Sequence, residues 1–162
     1  MAIREVREIG DDILRKPCKE VTKMTLRTQL LIEDMIETMF EQNGVGLAAP
    51  QVGILKRIVV IDIRDDMGTI VMINPEILET AGEQTGDEGC LSVPGKAGCV
   101  TRPNYVKAKF LNEDMEEMII EGEGLLARAI CHELDHLDGV LYVDKVDGEL
   151  KDVNYDEEEE EA

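Results

Sequence analysis

The chain has 162 residues, 36 of them acidic against 17 basic, for a formal net charge of −19, and it contains no tryptophan. That length suits one domain with a sizeable core, made mostly of Ile, Leu, Val and Met because only two Phe and three Tyr are present. The charge argues against direct binding to nucleic acid or to an anionic membrane surface, and the charged N-terminus and lack of a long apolar window argue against a signal peptide or membrane span. A cytoplasmic protein with reduced cysteines is therefore expected.

Residues 13–21 form an irregular start, interrupted by Pro17, with Cys18 as a small apolar side chain. Thr25 is expected to cap a helix. Leu26, Leu30, Ile36, Met39 and Phe40 supply apolar positions near the helical period, Met35 joins Met39 and Phe40 in the core, and Asn43-Gly44 ends the helix. Residues 44–53 (Gly-Val-Gly-Leu-Ala-Ala-Pro-Gln-Val-Gly) do not have the spacing of a phosphate loop. Their small side chains suit a tight turn or a close approach of backbone to a ligand, and Gln51 offers both an amide donor and an acceptor.

Residues 57–64 predict a buried strand from their β-branched content, residues 65–68 a turn, and residues 69–74 a returning strand stopped by Pro75. Residues 86–95 are expected as a glycine-containing loop. Further strands are predicted over 98–102, 105–111 and 115–121, and a helix over 125–139 with Leu126, Ile130, Leu134 and Leu137 on its core stripe. The absence of repeated βαβ alternation predicts an α+β fold: antiparallel β-sheets around a central helix carrying His132-Glu133-Leu134-Asp135-His136, with an N-terminal helix. Residues 1–150 would make a single catalytic domain. Residues 151–162, with the Asp156 to Glu161 acidic run, would be a solvated, disordered tail.

His132 and His136 are the only histidines in the chain. Four positions apart on a helix they share one face with Leu125 and Ala129, so both imidazoles can reach one ion, with Glu133 beside them as an acid. A tight site that keeps a position open for water needs a third protein ligand. Cys90 is the preferred candidate: its thiolate suits Zn(II) or Fe(II), Gly89 frees the backbone before it, and the Leu91 amide can share the cavity. Cys99, Cys131 and acidic side chains stay open as alternatives. Cys131, however, is turned about 100° from His132 around the helix, and Cys99 suits a buried strand position.

Three stretches together resemble the peptide deformylase family: Gly44-Val45-Gly46-Leu47-Ala48-Ala49-Pro50-Gln51, then Glu88-Gly89-Cys90-Leu91-Ser92, then His132-Glu133-Leu134-Asp135-His136. Their order and spacing also match, and the similarity runs from about Ile3 to Val146. The resemblance implies that Cys90, His132 and His136 hold a divalent metal carrying the nucleophilic water, and that Glu133 is the general acid/base. The Gln51 side-chain amide and the Leu91 N–H would form the oxyanion hole, and Gly46 would bond substrate backbone. The implied reaction removes the formyl group from the N-terminal formyl-methionine of nascent polypeptides, with Fe(II) as the metal and Zn(II), Ni(II) or Co(II) as substitutes. Ligand rules alone favour Zn(II).

Val45, Leu125 and Ala129 would line an apolar slot for the methionine side chain. Glu88 and Arg102 would pair behind the Cys90 loop or a histidine. Some relatives dock on the ribosome through a basic C-terminal helix. This chain has acidic residues there, so that mode of docking is not expected, and a monomer is. Arg128 stands where many relatives carry an apolar residue, which predicts a more polar pocket mouth.

Overall fold

Helix α1 (Leu26–Glu41) is capped by Thr25, whose Oγ1 accepts from the Thr28 N–H at 3.2 Å. In the computed structural model, which describes residues 2–153, it packs on one face of a five-stranded antiparallel sheet. Its buried stripe is Leu31, Ile32, Met35 and Met39, with Thr28 and Thr38. Leu26, Leu30 and Phe40, expected to face inward, are instead exposed. The buried stripe runs one position out of step with the one read from Leu26 and Leu30, and Phe40 lies under the Arg64 guanidinium, 4.5 Å from the ring centre.

The large sheet has the order β1-β2-β3-β6-β7, from Gly46–Ala48, Ile58–Ile61, Ile70–Ala81, Tyr105–Leu111 and Glu117–Glu123. Strand β2 explains why its sequence is apolar throughout. Ile58 and Val60 point into the core under α1, while Val59 and Ile61 point into the core under the second helix, α2 (Leu125–Leu137). Both faces of this strand are covered, so all four residues are buried.

Strand β3 does not stop at Pro75. It runs to Ala81, with a register shift between Ile73 and Glu76 against β6. The proline falls in that irregularity, where its missing N–H breaks no regular pair. Asn74 just before it has φ +50° and bonds both backbone groups of Val21 through its side chain.

The second sheet, β4-β5-β8, comprises Gln84–Cys90, Val93–Arg102 and Val146–Asp152. Residues 86–95 are thus a hairpin rather than a loop: Cys90 pairs with Val93 across a two-residue turn at Leu91-Ser92. Glycine and aspartate are poor strand formers, but pairing with β5 overrides local preference. Strand β8 has no expected counterpart, and it carries regular structure to Asp152, past the boundary at residue 150. The Asp156 to Glu161 run lies outside the described residues.

Helix α2 lies between the two sheets. Leu126, Ile130, Leu134 and Leu137 are buried on the large-sheet side as expected, each contributing about 1.5–3 kcal/mol by burial. The α+β architecture, with antiparallel sheets around a central helix and an N-terminal helix, is the one the sequence predicts. Among the described residues no helix is long and apolar enough to cross a membrane.

Candidate metal centre and active site

Beside its large-sheet stripe, α2 carries Leu125, Ala129, His132 and His136 in successive turns, with Ala129 still packed in that core. Facing them is β4, where alternation turns Glu88 and Cys90 to the same side as the helix. Cys90 Sγ lies 3.3 Å from His136 Nε2, and one donor atom from each of Cys90, His132 and His136 lies within 4.8 Å of the others. Among the described residues this is the one group of three or more His, Cys, Asp or Glu that could hold an ion. Cys131 is buried in the core and Cys99 is paired within β5, so neither belongs to it.

The donor set fits a divalent transition metal: one thiolate and two imidazoles, three ligands where a closed structural site would have four. Both imidazoles are held from behind or by burial. His132 Nδ1 donates to Glu88 Oε1 at 2.5 Å, which leaves Nε2 facing the site. Burial holds the His136 pKa well below the ordinary imidazole value, helped by His132 and Arg102, so this ring is neutral and able to ligate. For His132 burial acts downward, but Glu133, Cys90 and Glu88 outweigh it and hold the pKa well above the ordinary value.

Glu88 is itself clamped. Arg102 Nη2 and Nε donate to its two oxygens at 2.6 and 3.2 Å, and Arg128 Nη1 donates to Oε2 at 2.7 Å. Burial opposes ionisation, yet His132 and Arg102 bring its pKa down to about 2. Arg102 Nη1 also reaches Asp135 Oδ2 at 2.7 Å, and the Lys145 ammonium meets the same oxygen at 3.2 Å. Arg128, expected at the pocket mouth, is buried with its guanidinium on Glu88 and on the Val100 carbonyl at 3.2 Å.

A cavity of about 760 Å³ opens above these groups. Val45, Gly46, Gln51, Glu88, Cys90, Leu91, Leu125, Ala129, His132 and Glu133 all line it, whereas His136 and Arg102 are buried and do not. Glu133 Oε2 sits 3.9 Å from His132 Nε2, and Glu133 Oε1 has no protein partner among the described residues. Burial pushes the Glu133 pKa up to about 7, with His132 pulling the other way. Gln51 is fixed in the wall: Oε1 accepts from the Ala48 N–H at 2.9 Å, and Nε2 donates to Ser92 Oγ at 3.0 Å and toward Cys90 Sγ at 3.6 Å.

Some supporting groups carried no sequence signal. The N-terminal segment ties two wall loops from behind, the Arg7 N–H donating to Gln51 O at 2.6 Å and the Ile9 N–H to Ser92 O at 2.7 Å. Tyr142 is fully buried and stacks on His132 with ring centres 6.1 Å apart.

Comparison with known proteins shows which family and fold the chain resembles. The family model described as polypeptide deformylase matches residues 3–152. The peptide deformylase of Agathobacter rectalis is 69% identical over 160 residues, spanning 99% of this chain and 100% of that protein. That of Lachnoclostridium phytofermentans is 61% identical over 163 residues, spanning 99% and 100%. The crystal structure of peptide deformylase from Thermotoga maritima superposes with a TM-score of 0.87 at 44% identity, covering 90% of this chain and 99% of that one.

Proposed function

The chain belongs to the polypeptide deformylase family, enzymes that remove N-terminal formyl groups, and on that premise we propose how its own residues carry out the reaction. The substrate is the formyl-methionyl end of a nascent polypeptide, and the products are formate and a free α-amine. Cys90, His132 and His136 hold one divalent ion, Fe(II) by preference, with Zn(II), Ni(II) or Co(II) able to replace it. The observation that carries this reading is the convergence of those three donors within 4.8 Å under a cavity that Glu133 also lines.

When bound, such an ion makes water acidic enough to attack at neutral pH and polarises a carbonyl oxygen. Glu133 takes the proton of the attacking water and delivers it to the departing amine nitrogen. Burial pushes its carboxyl up to about 7 in the metal-free protein, which suits a group that must both accept and return a proton near neutral pH. As the formyl carbon becomes tetrahedral, its oxygen gains charge. The Gln51 amide, held by Ala48 and Ser92, and the Leu91 N–H stabilise that charge. Gly46 bonds the substrate backbone, and Val45, Leu125 and Ala129 accept the methionine side chain, whose flexible thioether suits an apolar slot. Glu88 and Arg102 orient His132.

The enzyme works as a monomer in the cytoplasm, near the ribosome, and its catalytic unit runs through β8 to Asp152. The test is formate release from a formyl-Met-Ala-Ser peptide by protein purified without oxygen and loaded with Fe(II). Equal amounts of formate and new free amine are expected, and none from the metal-free protein. A folded, metal-loaded protein that releases no formate refutes the proposal.

A further inference from the structure

We propose that Arg128 is a positioning residue: from the wall of the peptide cavity it locks the Glu88 carboxylate onto His132 and thereby sets how firmly the metal is held. The inference rests on the reading of Cys90, His132 and His136 as the metal ligands.

Glu88 has four bonds to distribute between two oxygens. Oε1 faces His132 Nδ1 and Arg102 Nη2, and Oε2 faces Arg128 Nη1 at 2.7 Å and Arg102 Nε at 3.2 Å. Arg102 is not devoted to Glu88, because its Nη1 goes to Asp135 at 2.7 Å. Arg102 therefore bridges two carboxylates, with Lys145 the other cation on Asp135, and gives the buried Glu88 only two of its three donor nitrogens. Arg128 supplies the second cation, and with it the shorter of the two bonds on Oε2. Its other arm on the Val100 carbonyl of β5 fixes the guanidinium plane, so Arg128 joins α2 to the small sheet at the level of His132. Without it, Oε2 keeps only the 3.2 Å contact, and the carboxylate is held against Nδ1 by the Arg102 fork alone, with one short arm and one long one.

The same arrangement defines what Arg128 does not do. It lines the cavity, yet its guanidinium is bound to Glu88 and Val100 and is not free to pair with an acidic peptide side chain. It acts on the ligand His132, not on the substrate. Partners that orient a metal-binding histidine typically change metal affinity by about 10- to 100-fold when removed.

The experiment compares wild type with Arg128→Met, which keeps an apolar side chain of similar reach, and Arg128→Lys, which keeps the charge but cannot span both acceptors. Each protein is loaded with Co(II). Release to excess chelator, the visible Co(II) absorption bands, and KM and kcat for formyl-Met-Ala-Ser are recorded. Arg128→Met should release Co(II) about 10- to 100-fold faster. It should also shift the Co(II) bands and leave KM within about twofold, and Arg128→Lys should recover part of the release rate. Unchanged release and bands overturn the inference, and a raised KM alongside them assigns Arg128 to substrate contact. If Arg128→Met does not fold, Arg128→Lys decides: faster release than wild type supports the inference, and wild-type release overturns it. Failure of the underlying metal reading is separable, because wild type would then bind no Co(II), or would keep it in Cys90→Ala.

Discussion

A Cβ atom built on Gly46 would lie 2.5 Å from Glu133 Oε2 and 2.9 Å from its Cγ. The residue on the first strand and the acid on the second helix are therefore fitted to each other, and position 46 has no room for a side chain while Glu133 keeps its place. The glycine is required by this close approach and not by backbone strain, since its φ is not positive.

Gly46→Ala should therefore displace the Glu133 carboxylate and lower kcat/KM by roughly 100-fold or more, the scale of a lost general acid/base. Formate release against thermal unfolding checks this: a large loss of rate with Tm little changed is expected. Normal turnover would mean that Glu133 tolerates displacement.

Cys90→Ser keeps the size of the side chain but replaces a soft thiolate ligand with a hydroxyl. Bound metal after gel filtration should fall well below that of wild type, while Glu149→Ala, on exposed β8, should leave it unchanged. The reverse result would move the third ligand downstream of the histidines and remove the basis for a deformylase centre.

The Glu88 pKa of about 2, against an ordinary 4.5, makes its ionised form a source of stability. The sign comes from the depressed value: the contribution is complete above about pH 4.5 and is lost as pH falls toward about 2. Its full size is on the order of 3 kcal/mol. In metal-free protein, the gap in urea midpoint between wild type and Glu88→Gln should shrink from about pH 6 to about pH 3. A constant gap would show that the Glu88 clamp is not electrostatic.

Gly139, two residues beyond the end of α2, has φ +77°, and a Cβ there would meet the Arg15 carbonyl oxygen at 2.5 Å. Gly139→Ala thus combines an unfavourable backbone conformation with a backbone clash, and should cost at least about 2 kcal/mol in urea unfolding. A loss below about 0.5 kcal/mol, the scale of an ordinary surface change, would contradict the close packing of the helix end on the N-terminal segment.

The parts of this fold legible in the sequence are those where local chemistry and tertiary role agree. Residues 58–61 are β-branched because both faces of β2 are covered, and Leu126, Ile130, Leu134 and Leu137 keep a helical period because one stripe of α2 is buried. Strands β4 and β8 were not legible. Gly86, Gly89 and Gly148 disfavour a strand locally, and their pairing with β5 is supplied by distant chain. The site divides in the same way. His132, Glu133 and His136 announce themselves because the proposed coordination demands those residue types at helical spacing, and Cys90 becomes a candidate through its thiolate. The burial of Arg128 and Tyr142 depends on β4 and β5 packing against α2 and the short 142–144 turn, so nothing in their local sequence distinguishes them from an exposed cation and an ordinary aromatic.

The central claim is that Glu133 moves the proton in a hydrolysis carried out at the Cys90, His132 and His136 centre. It is tested most directly by formate release from formyl-Met-Ala-Ser by wild type and Glu133→Gln at matched Fe(II) content, prepared without oxygen. Steady turnover by wild type is expected, with a loss of roughly 100- to 10,000-fold in the variant while its metal is retained. Turnover by Glu133→Gln within about tenfold of wild type would contradict the claim and would assign the proton transfer to another group.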